Sequence, residues 1–430
     1  MIKSMMKSRR KIKAIMFSNM DCISKFSSLR TFKTLTLIAT HFGADVNKFE
    51  LNYCTMSEDQ LVQILNLLPK LSILKLNWLN FNFNEIKCCT KMLQLSELED
   101  LHLVGCNWAI EEIFTATQFD KKKLKSLKLT QYLISDCSTL LHFNQLALDQ
   151  LMLLGFYNMD YILTTIQNQT LLTVLDLTSI NDAIFNEIIK LKNLKVLKLA
   201  IGVSIEKFSQ ITKLEMLETL QFDTSMVSYV KEYSRIRMMK LKHLKIHLTA
   251  HEDSDIADEL ELIALNNLSL LSADINCGFI PENVTIAFLT NCKSLELLDV
   301  HYTCINNFLE TLKCPNMKEF MIKNCLLIQK SLLPQFIRTF PNLEKIFLKV
   351  DTPIAYENIL EIFQGFHYLK NLSICDCQFL TAEVFDIIRK HKHLQVVTLW
   401  GFQIQNDAIK KAFKNHPRSL KFNSIKLPAI

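Results

Sequence analysis

Apolar residues recur along this chain in the phrase Leu-x-x-Leu-x-Leu. In the stretch 191–200, LKNLKVLKLA, leucines stand at 191, 194, 197 and 199, a spacing that fits neither a helix nor a simple alternating strand. Matches to the phrase begin at 71, 98, 124, 148, 172, 194, 217, 241, 268, 295, 317, 343, 369 and 394, and irregular or partial units are expected at 32, 48 and 419. The period is therefore 22 to 27 residues.

A period of this length with this core is the signature of leucine-rich repeats, in which each unit supplies a short strand and a return segment. The last two leucines of the phrase point inward from a parallel strand, and the first packs in the turn that leads into it. We predict an α/β fold, a right-handed leucine-rich-repeat solenoid of the horseshoe type, with a parallel concave sheet. Residues 1–28 are expected to be a basic tail, and residues 29–430 a single domain of about 15 repeats.

The return segments carry apolar residues three and four positions apart, which predicts helices on the convex face. Examples are MSEDQLVQILNLLP, NDAIFNEIIKL, SIEKFSQITKL, QKSLLPQFIRTF, AYENILEIFQGF and TAEVFDIIRKH. Several segments begin with a residue type that caps helices, and an acid follows in the first turn, as at Ser57, Asn181, Ser204 and Thr381.

Three stretches, at 101–114, 320–337 and 372–388, place Asn-Cys, Gly-Cys or Asp-Cys at the end of a strand and a helix pattern after it. They resemble the cysteine-containing repeats of F-box/leucine-rich-repeat proteins, with Cys54, Cys106, Cys325 and Cys377 at the strand end. The resemblance covers roughly residues 29 to 425 and implies the ribonuclease-inhibitor-like type of repeat.

In that family an F-box docks the adaptor of a cullin-RING (SCF) ubiquitin ligase, while the repeats capture the substrate. Residues 1–28 contain neither the Leu-Pro step nor the room for a three-helix F-box. The resemblance implies a protein-interaction module, the substrate-recognition part of an F-box-like receptor, with the adaptor and cullin as further partners. The alternative is a non-catalytic scaffold or inhibitor that binds a protein without ubiquitin transfer.

The formal net charge of +6 is concentrated at the N-terminus, where six basic residues precede the first acid. The remaining 43 basic and 43 acidic residues balance, which argues against nucleic acid as a partner. The stretch KSRRKIK is a candidate nuclear-import patch; a mitochondrial presequence and a disordered start are the alternatives.

Thirteen cysteines without a repeated Cys-x-x-Cys indicate reduced thiols and a cytoplasmic or nuclear protein. No apolar run reaches about 18 residues, so no membrane-spanning helix is expected. Phosphate-binding glycine motifs are absent from the sequence, so we expect no cofactor and no enzymatic activity.

Equivalent positions of neighbouring parallel strands form columns about 4.8 Å apart. The column three residues after the central leucine is predicted to read Asp223, His247, Asp274, His301, Lys323, Lys349, Cys375 and Trp400, with Asp299 beside His301. One interpretation is a metal or acid/base site at His247, Asp274 and His301. The other is a ladder of solvated charges.

The column one residue after the central leucine is predicted to end in Met321, Phe347, Ser373 and Thr398. Together with Trp400, these residues place large apolar groups beside Lys323, Lys345 and Lys349 on the concave face. Exposed apolar groups with a polar rim are typical of protein-binding sites, although a shift in register would return Phe347 or Trp400 to the core. Met152 and Leu154 form a second candidate patch.

Overall fold

The computed structural model describes residues 11–18, 25–81, 93–106, 118–119, 123–130, 146–156, 158–200, 202–249, 256–277, 280–301, 304–305, 312–328, 333–350, 356–375, 390–400 and 421–425. The chain divides into two compact units, Met1–Ser204 and Ile205–Ile430. The prediction of one domain over residues 29–430 remains a prediction.

The first unit repeats a short strand followed, where described, by a helix. Its strands are β1 Ala14–Ser18, β2 Lys48–Asn52, β3 Thr55–Met56, β4 Ile73–Asn77, β5 Asn80–Phe81, β6 Gln94–Leu95, β7 Asp100–Val104, β8 Gln118–Phe119, β9 Ser126–Thr130, β10 Gln150–Leu154, β11 Val174–Leu177 and β12 Val196–Ala200. Its helices are α1 Lys25–Phe42, α2 Glu58–Leu65, α3 Met159–Gln167 and α4 Asp182–Ile188, with a 3₁₀ turn at Gly43–Asp45.

Strands β1, β2, β4, β7, β9, β10, β11 and β12 pair in that order, and every pairing is parallel. The two leucines of each phrase fall in register and are buried, as Leu74 and Leu76 are opposite Leu101 and Leu103. Two of the four predicted capping residues are confirmed: the Ser57 and Gln60 side chains form a capping box on α2, and Asn181 caps α4. The Ser204 hydroxyl instead donates a hydrogen bond to the Asp182 carboxylate, and Thr381 lies outside the described residues.

Strand β1 lies inside the segment that the sequence predicts as a tail. Ala14 to Ser18 pair in parallel with Lys48 to Asn52, and Ile15 is buried. The predicted irregular repeat at residue 32 is wrong, because FKTLTL lies within helix α1. Leu35 and Ala39, four positions apart, face the core, whereas Leu37 is exposed, as a helical period requires.

The second unit follows the same plan. Its strands are β13 Thr219–Thr224, β14 His243–Leu248, β15 Ser272–Asn276, β16 Leu297–His301, β17 Cys304–Ile305, β18 Glu319–Ile328, β19 Lys345–Val350, β20 Asn371–Cys375, β21 Val396–Trp400 and β22 Lys421–Ile425. Its helices are α5 Ile205–Phe208, α6 Val227–Ser234, α7 Ala257–Asn266, α8 Glu282–Asn291, α9 Leu333–Thr339 and α10 Tyr356–Gly365, with a 3₁₀ helix at Ser209–Lys213.

Strands β13, β14, β15, β16, β18, β19, β20, β21 and β22 pair successively, again in parallel. The helices cover the leucine side of this sheet. The ring of Phe222 on β13 lies 5.3 Å from that of Tyr233 on α6, and the ring of Phe320 on β18 lies 5.7 Å from that of Phe336 on α9. All four rings are fully buried. The opposite side, which we call the open face, carries the residues between the buried ones.

The cysteines at the strand ends are structural. Cys106 donates a hydrogen bond from its thiol to the carbonyl of Leu76 in the preceding repeat, at 3.3 Å, and Cys54 donates to the carbonyl of Asn52. Burial raises the pKa of the Cys106 thiol to about 11, so the thiol is protonated at neutral pH. Cys377 lies outside the described residues.

Candidate protein-binding site

One column on the open face of the second unit combines charged and apolar residues. The strand register places Lys245, Asp274, Asp299, Met321, Phe347, Ser373 and Thr398 side by side on consecutive strands. We call this set the central column. The predicted succession of Met321, Phe347, Ser373 and Thr398 is confirmed, and it continues directly from two aspartates.

The charged end of the central column is organised around one lysine. Lys245 Nζ lies 2.8 Å from Asp274 Oδ2. The hydrogen bond to Asp274 raises the pKa of Lys245, and the charges of Asp274, Asp223 and Asp299 add to that effect against a smaller opposing effect of burial. Asp299 is only 2% exposed, so its carboxylate lies beneath the surface of the column. Three carboxylates around one ammonium group leave this end of the column acidic.

The predicted alternation of Asp223, His247, Asp274 and His301 is wrong at its third member, Asp274. Asp223 is opposite His247, as predicted, but His247 is opposite Asn276, and Asp274 belongs to the column of Lys245. His301 is opposite Lys323 on the next strand, as predicted. The error is a shift of two residues in one repeat.

The cause of that shift is the choice of leucine in LSLLSADI. The phrase starting at Leu268 fits the consensus, yet Leu268 is 48% exposed, whereas Leu270 is fully buried. The repeat starts at Leu270, and Ala273 with Ile275 occupy the two buried strand positions opposite Leu244 and Ile246. Because the central position of this repeat is an alanine, Ala273, a search for the leucine phrase does not find the repeat that starts at Leu270.

This register removes the basis for a metal or acid/base site at His247, Asp274 and His301. The Asp274 carboxylate is bound by Lys245, and the His247 ring faces Asp223, with Nδ1 3.7 Å from Oδ1. Within the ranges that the structure describes, no three His, Cys, Asp or Glu side chains are grouped closely enough to hold a metal ion.

The apolar end of the site is described in part. Met321 is partly exposed on the open face, and Lys345 Nζ lies 3.0 Å from Glu319 Oε2 across neighbouring strands. Lys349, Cys375 and Trp400 share a column, as predicted, whereas a register shift between Ile322 and Cys325 separates Lys323 from that column. The side chains of His301, Lys323, Phe347, Lys349 and Trp400 lie outside the described residues.

The first unit has an exposed aromatic pair that the sequence patterns did not indicate. Tyr53 and Trp78 follow β2 and β4 directly, both with a φ of 55°, and both rings are more than 40% exposed. The rings are stacked, with centroids 6.3 Å apart and planes 5° from parallel. A left-handed backbone is unusual for aromatic residues.

In two other repeats the residue directly after the strand is a glycine, also with a positive φ. Aligning Tyr53 and Trp78 with these glycines is the sequence signal that could have revealed the pair. Gly105 follows β7 with a φ of 62°, and Gly155 follows β10 with a φ of 78°. A Cβ atom on Gly105 would lie 2.7 Å from the ring of Trp78, so the indole rests against the Gly105 backbone. One residue before each ring, Asn77 Nδ2 donates a hydrogen bond of 2.7 Å to Asn52 Oδ1.

The second predicted patch, Met152 with Leu154, lies on the open face of the first unit. Met152 stands between Lys128 and Asp176 in its column, and Leu154 is opposite Thr130. Both side chains are partly exposed. Met152 and Leu154 are each less exposed than Tyr53 and Trp78.

The periodic parallel strands, buried leucine columns and return helices define both units as leucine-rich-repeat structures. No protein-family model matches the chain, and no curated protein matches it. Among solved structures, it is similar to a leucine-rich-repeat protein of Leptospira interrogans, with 17% identity and a TM-score of 0.35 over 96% of this chain and 90% of that one. It is also similar to a chain of the yeast Rad7 and Elc1 complex, with 13% identity and a TM-score of 0.44 over 98% of this chain and 85% of that one.

None of the helices in the described ranges has the length and apolar character needed to cross a lipid bilayer.

Proposed function

We propose that this chain is a protein-binding module and that the central column of the Ile205–Ile430 unit takes the partner. The observation that carries the proposal is the adjacency of Asp299 and Met321 on neighbouring strands, since it joins an acidic cluster to an apolar surface. Protein interfaces combine an apolar centre with charged groups that set orientation and specificity. The partner surface expected here presents a basic residue next to an apolar one.

The extent of the open face favours a protein partner over a small substrate. Consecutive strands place side chains in rows about 4.8 Å apart, which gives a broad surface. The carboxylate of Asp274 is held by Lys245 at 2.8 Å, an arrangement that orients a charge for recognition and leaves no free general base at that position.

In finer terms, we propose that the chain is the substrate-recognition part of an F-box-like SCF ubiquitin-ligase receptor in the cytoplasm or nucleus. The support is the sequence resemblance to cysteine-containing repeats of that family, together with the buried thiol hydrogen bonds of Cys54 and Cys106 at strand ends. The alternative is a scaffold or inhibitor that binds its partner on the same face without ubiquitin transfer.

Affinity purification of the tagged full-length chain separates these two roles. The receptor role predicts that the F-box-binding adaptor and the cullin co-purify with the chain, together with proteins that accumulate when the proteasome is inhibited. Recovery of a partner without adaptor or cullin, when both are detected in the same lysate, would rule out the receptor role and leave the scaffold.

Matched charge variants test the acidic end of the central column. Asp274→Asn removes one of the carboxylates around Lys245, and we expect it to weaken binding of the recovered partner about tenfold, with a shallower dependence on salt. Asp258→Asn, on helix α7 of the same unit, removes one charge away from the open face and is the control. Equal affinities of the two variants would place the interface elsewhere.

A further inference from the structure

The turns that lead into the strands of the second unit lie side by side along one edge, because the strands that follow them pair in register. Each turn has a tip of two exposed residues directly before the first leucine position of its repeat. The tips are residues 215–216, 239–240, 268–269, 293–294, 315–316, 341–342, 367–368 and 392–393. We call these residues the tip row. It shares no residue with the central column.

Direct contacts hold neighbouring tips together. Asn316 Nδ2 donates a hydrogen bond of 3.0 Å to the carbonyl of Lys293 in the preceding repeat, and Asn342 Nδ2 donates one of 2.9 Å to the carbonyl of Pro315. The arrangement of the tips is therefore fixed by the fold rather than by a ligand. Further contacts between neighbouring tips join Lys240 to Met216, Ser269 to Met239 and His393 to Tyr368.

Several tips present large apolar side chains to solvent. The exposed fractions are 70% for Met239, 53% for Tyr368, 48% for Leu268 and 37% for Met216. Met216, Met239 and Leu268 stand on three consecutive tips, so they form one apolar stretch at the end of the row that leads into β13, β14 and β15. Exposed apolar groups that adjoin one another indicate contact with a partner surface.

The charge of the turns that carry the tips is positive. These turns span residues 214–216, 235–240, 267–269, 292–294, 312–316, 340–342, 366–368 and 391–393, and Glu215 is the one acidic residue within these described ranges. Glu218, Glu296 and Glu344 lie shortly after the tips, but each is paired with a lysine of the next repeat at 2.6 to 2.8 Å, so these acids do not neutralise the turns. Arg235 pairs with Glu232. The remaining basic residues of the turns are Arg237, Lys240, Lys293, Lys313 and Lys392, all of them exposed.

We propose that the tip row binds the surface of a lipid bilayer that contains anionic phospholipids. The basic residues of the turns lie against the negative headgroups, and the side chains of Met216, Met239, Leu268 and Tyr368 insert among them. Tyrosine suits this position because its ring is apolar and its hydroxyl remains in water. The bilayer contact does not depend on the protein-binding function of the central column, since the two surfaces share no residue.

The spacing of the apolar side chains favours a bilayer over an acidic protein. A protein interface concentrates its binding energy in a few side chains that fill pockets near its centre. The apolar tips instead stand singly, one for each repeat, and basic residues lie in the same turns, as Lys240 does beside Met239. Shallow insertion among headgroups accepts such a distributed arrangement, and the attraction between opposite charges supplies the rest of the affinity.

Co-sedimentation of the full-length chain with vesicles tests the charge of the tip row. We expect binding to vesicles of phosphatidylcholine mixed with phosphatidylserine, and binding weaker by roughly tenfold or more to vesicles of phosphatidylcholine alone. Each basic residue near an anionic surface strengthens binding about fivefold, so Arg237→Gln with Lys240→Gln should weaken binding to the anionic vesicles by roughly tenfold or more. Lys33→Gln with Lys125→Gln removes the same charge from exposed positions of the first unit and is the control.

Two results of this experiment would overturn the proposal. One is equal binding to both kinds of vesicle. The other is wild-type binding by the Arg237→Gln, Lys240→Gln variant, which is the result expected if the basic residues before Asp21 attach the chain.

Insertion of the apolar tips is tested by Met239→Gln with Leu268→Gln. Loss of two inserted side chains should weaken binding to the anionic vesicles about fivefold or more, whereas Leu37→Gln, at a 42% exposed position on α1, should leave it unchanged. All the substituted side chains are exposed, so the variants should fold, and urea denaturation verifies this. Weaker binding by the charge variant without any change in the apolar variant would indicate attachment by charge alone, as to an acidic protein, and would overturn the assignment of a bilayer.

Discussion

Lys245 and Asp274 stand opposite each other on adjacent parallel strands, with 2.8 Å between Nζ and Oδ2. This ion pair exists only in the register in which Ala273, rather than Leu271, fills the buried position opposite Leu244. A shift of two residues keeps each side chain on the same face of the sheet but changes its partners on the neighbouring strands, so the choice of frame decides which residues form the site. The register of β15 thus places Asp274 in the central column rather than in the predicted Asp/His column.

The ion pair is tested by Lys245→Gln. The side chain of Lys245 is 45% exposed, so we expect the free energy of unfolding to fall by about 1 kcal/mol or less at pH 8, measured by urea denaturation. Because the pKa of Lys245 is raised in the folded state, its contribution is complete below the unfolded value of about 10.4 and is lost as the pH rises through the folded value. The difference between wild type and variant should therefore shrink at pH 11. A difference that grows with pH would contradict the pairing.

The frame of β15 is tested by two leucine-to-alanine variants in one turn. Leu270 is fully buried, so Leu270→Ala should lower the free energy of unfolding by about 2 to 5 kcal/mol. Leu268 is half exposed, so Leu268→Ala should change it by no more than about 0.5 kcal/mol. Chemical denaturation measures both. A larger loss of stability in Leu268→Ala than in Leu270→Ala would show that the repeat starts at Leu268.

The contact between Trp78 and Gly105 is tested by Gly105→Ala. The variant places a methyl group 2.7 Å from the indole ring at a backbone φ of 62°, so we expect a loss of about 1 to 2 kcal/mol and a shift of tryptophan emission. Gly155→Ala imposes a similar backbone cost at a φ of 78° and is the control for strain alone. If the two variants give the same emission spectrum, Trp78 does not rest on Gly105.

Much of the fold can be predicted from the sequence because the leucine phrase marks both the length of each repeat and the register of its strand against the next. Leu74, Leu101 and Leu127 each mark a buried strand position directly, and the structure pairs them. The phrase gives a wrong prediction where a helix happens to contain a similar spacing of leucines, as FKTLTL in helix α1 does. Strand β1 was missed because AIMFS is short and follows a basic run.

The candidate site was harder to predict than the fold. Its apolar end follows from the repeats that start at Met317 and Leu343, which contain bulky apolar residues at the buried positions and therefore align as predicted up to the register shift after Ile322. Its acidic end depends on one alanine, Ala273, whose burial is fixed by packing against neighbouring repeats rather than by its own hydrophobicity. The Tyr53–Trp78 pair adopts a glycine-like backbone, which no local propensity favours in aromatic residues.

The most direct test of the central claim compares two methionine variants in capture of the partner protein. Met321→Glu places a charge in the central column, and Met239→Glu places the same charge at a 70% exposed position away from it in the same unit. The tagged full-length chains are compared by quantitative mass spectrometry of the captured proteins. We expect Met321→Glu to capture at least tenfold less of the partner than the wild-type chain, and Met239→Glu to capture the wild-type amount. Retention by both variants, or loss by both, would contradict binding through the central column.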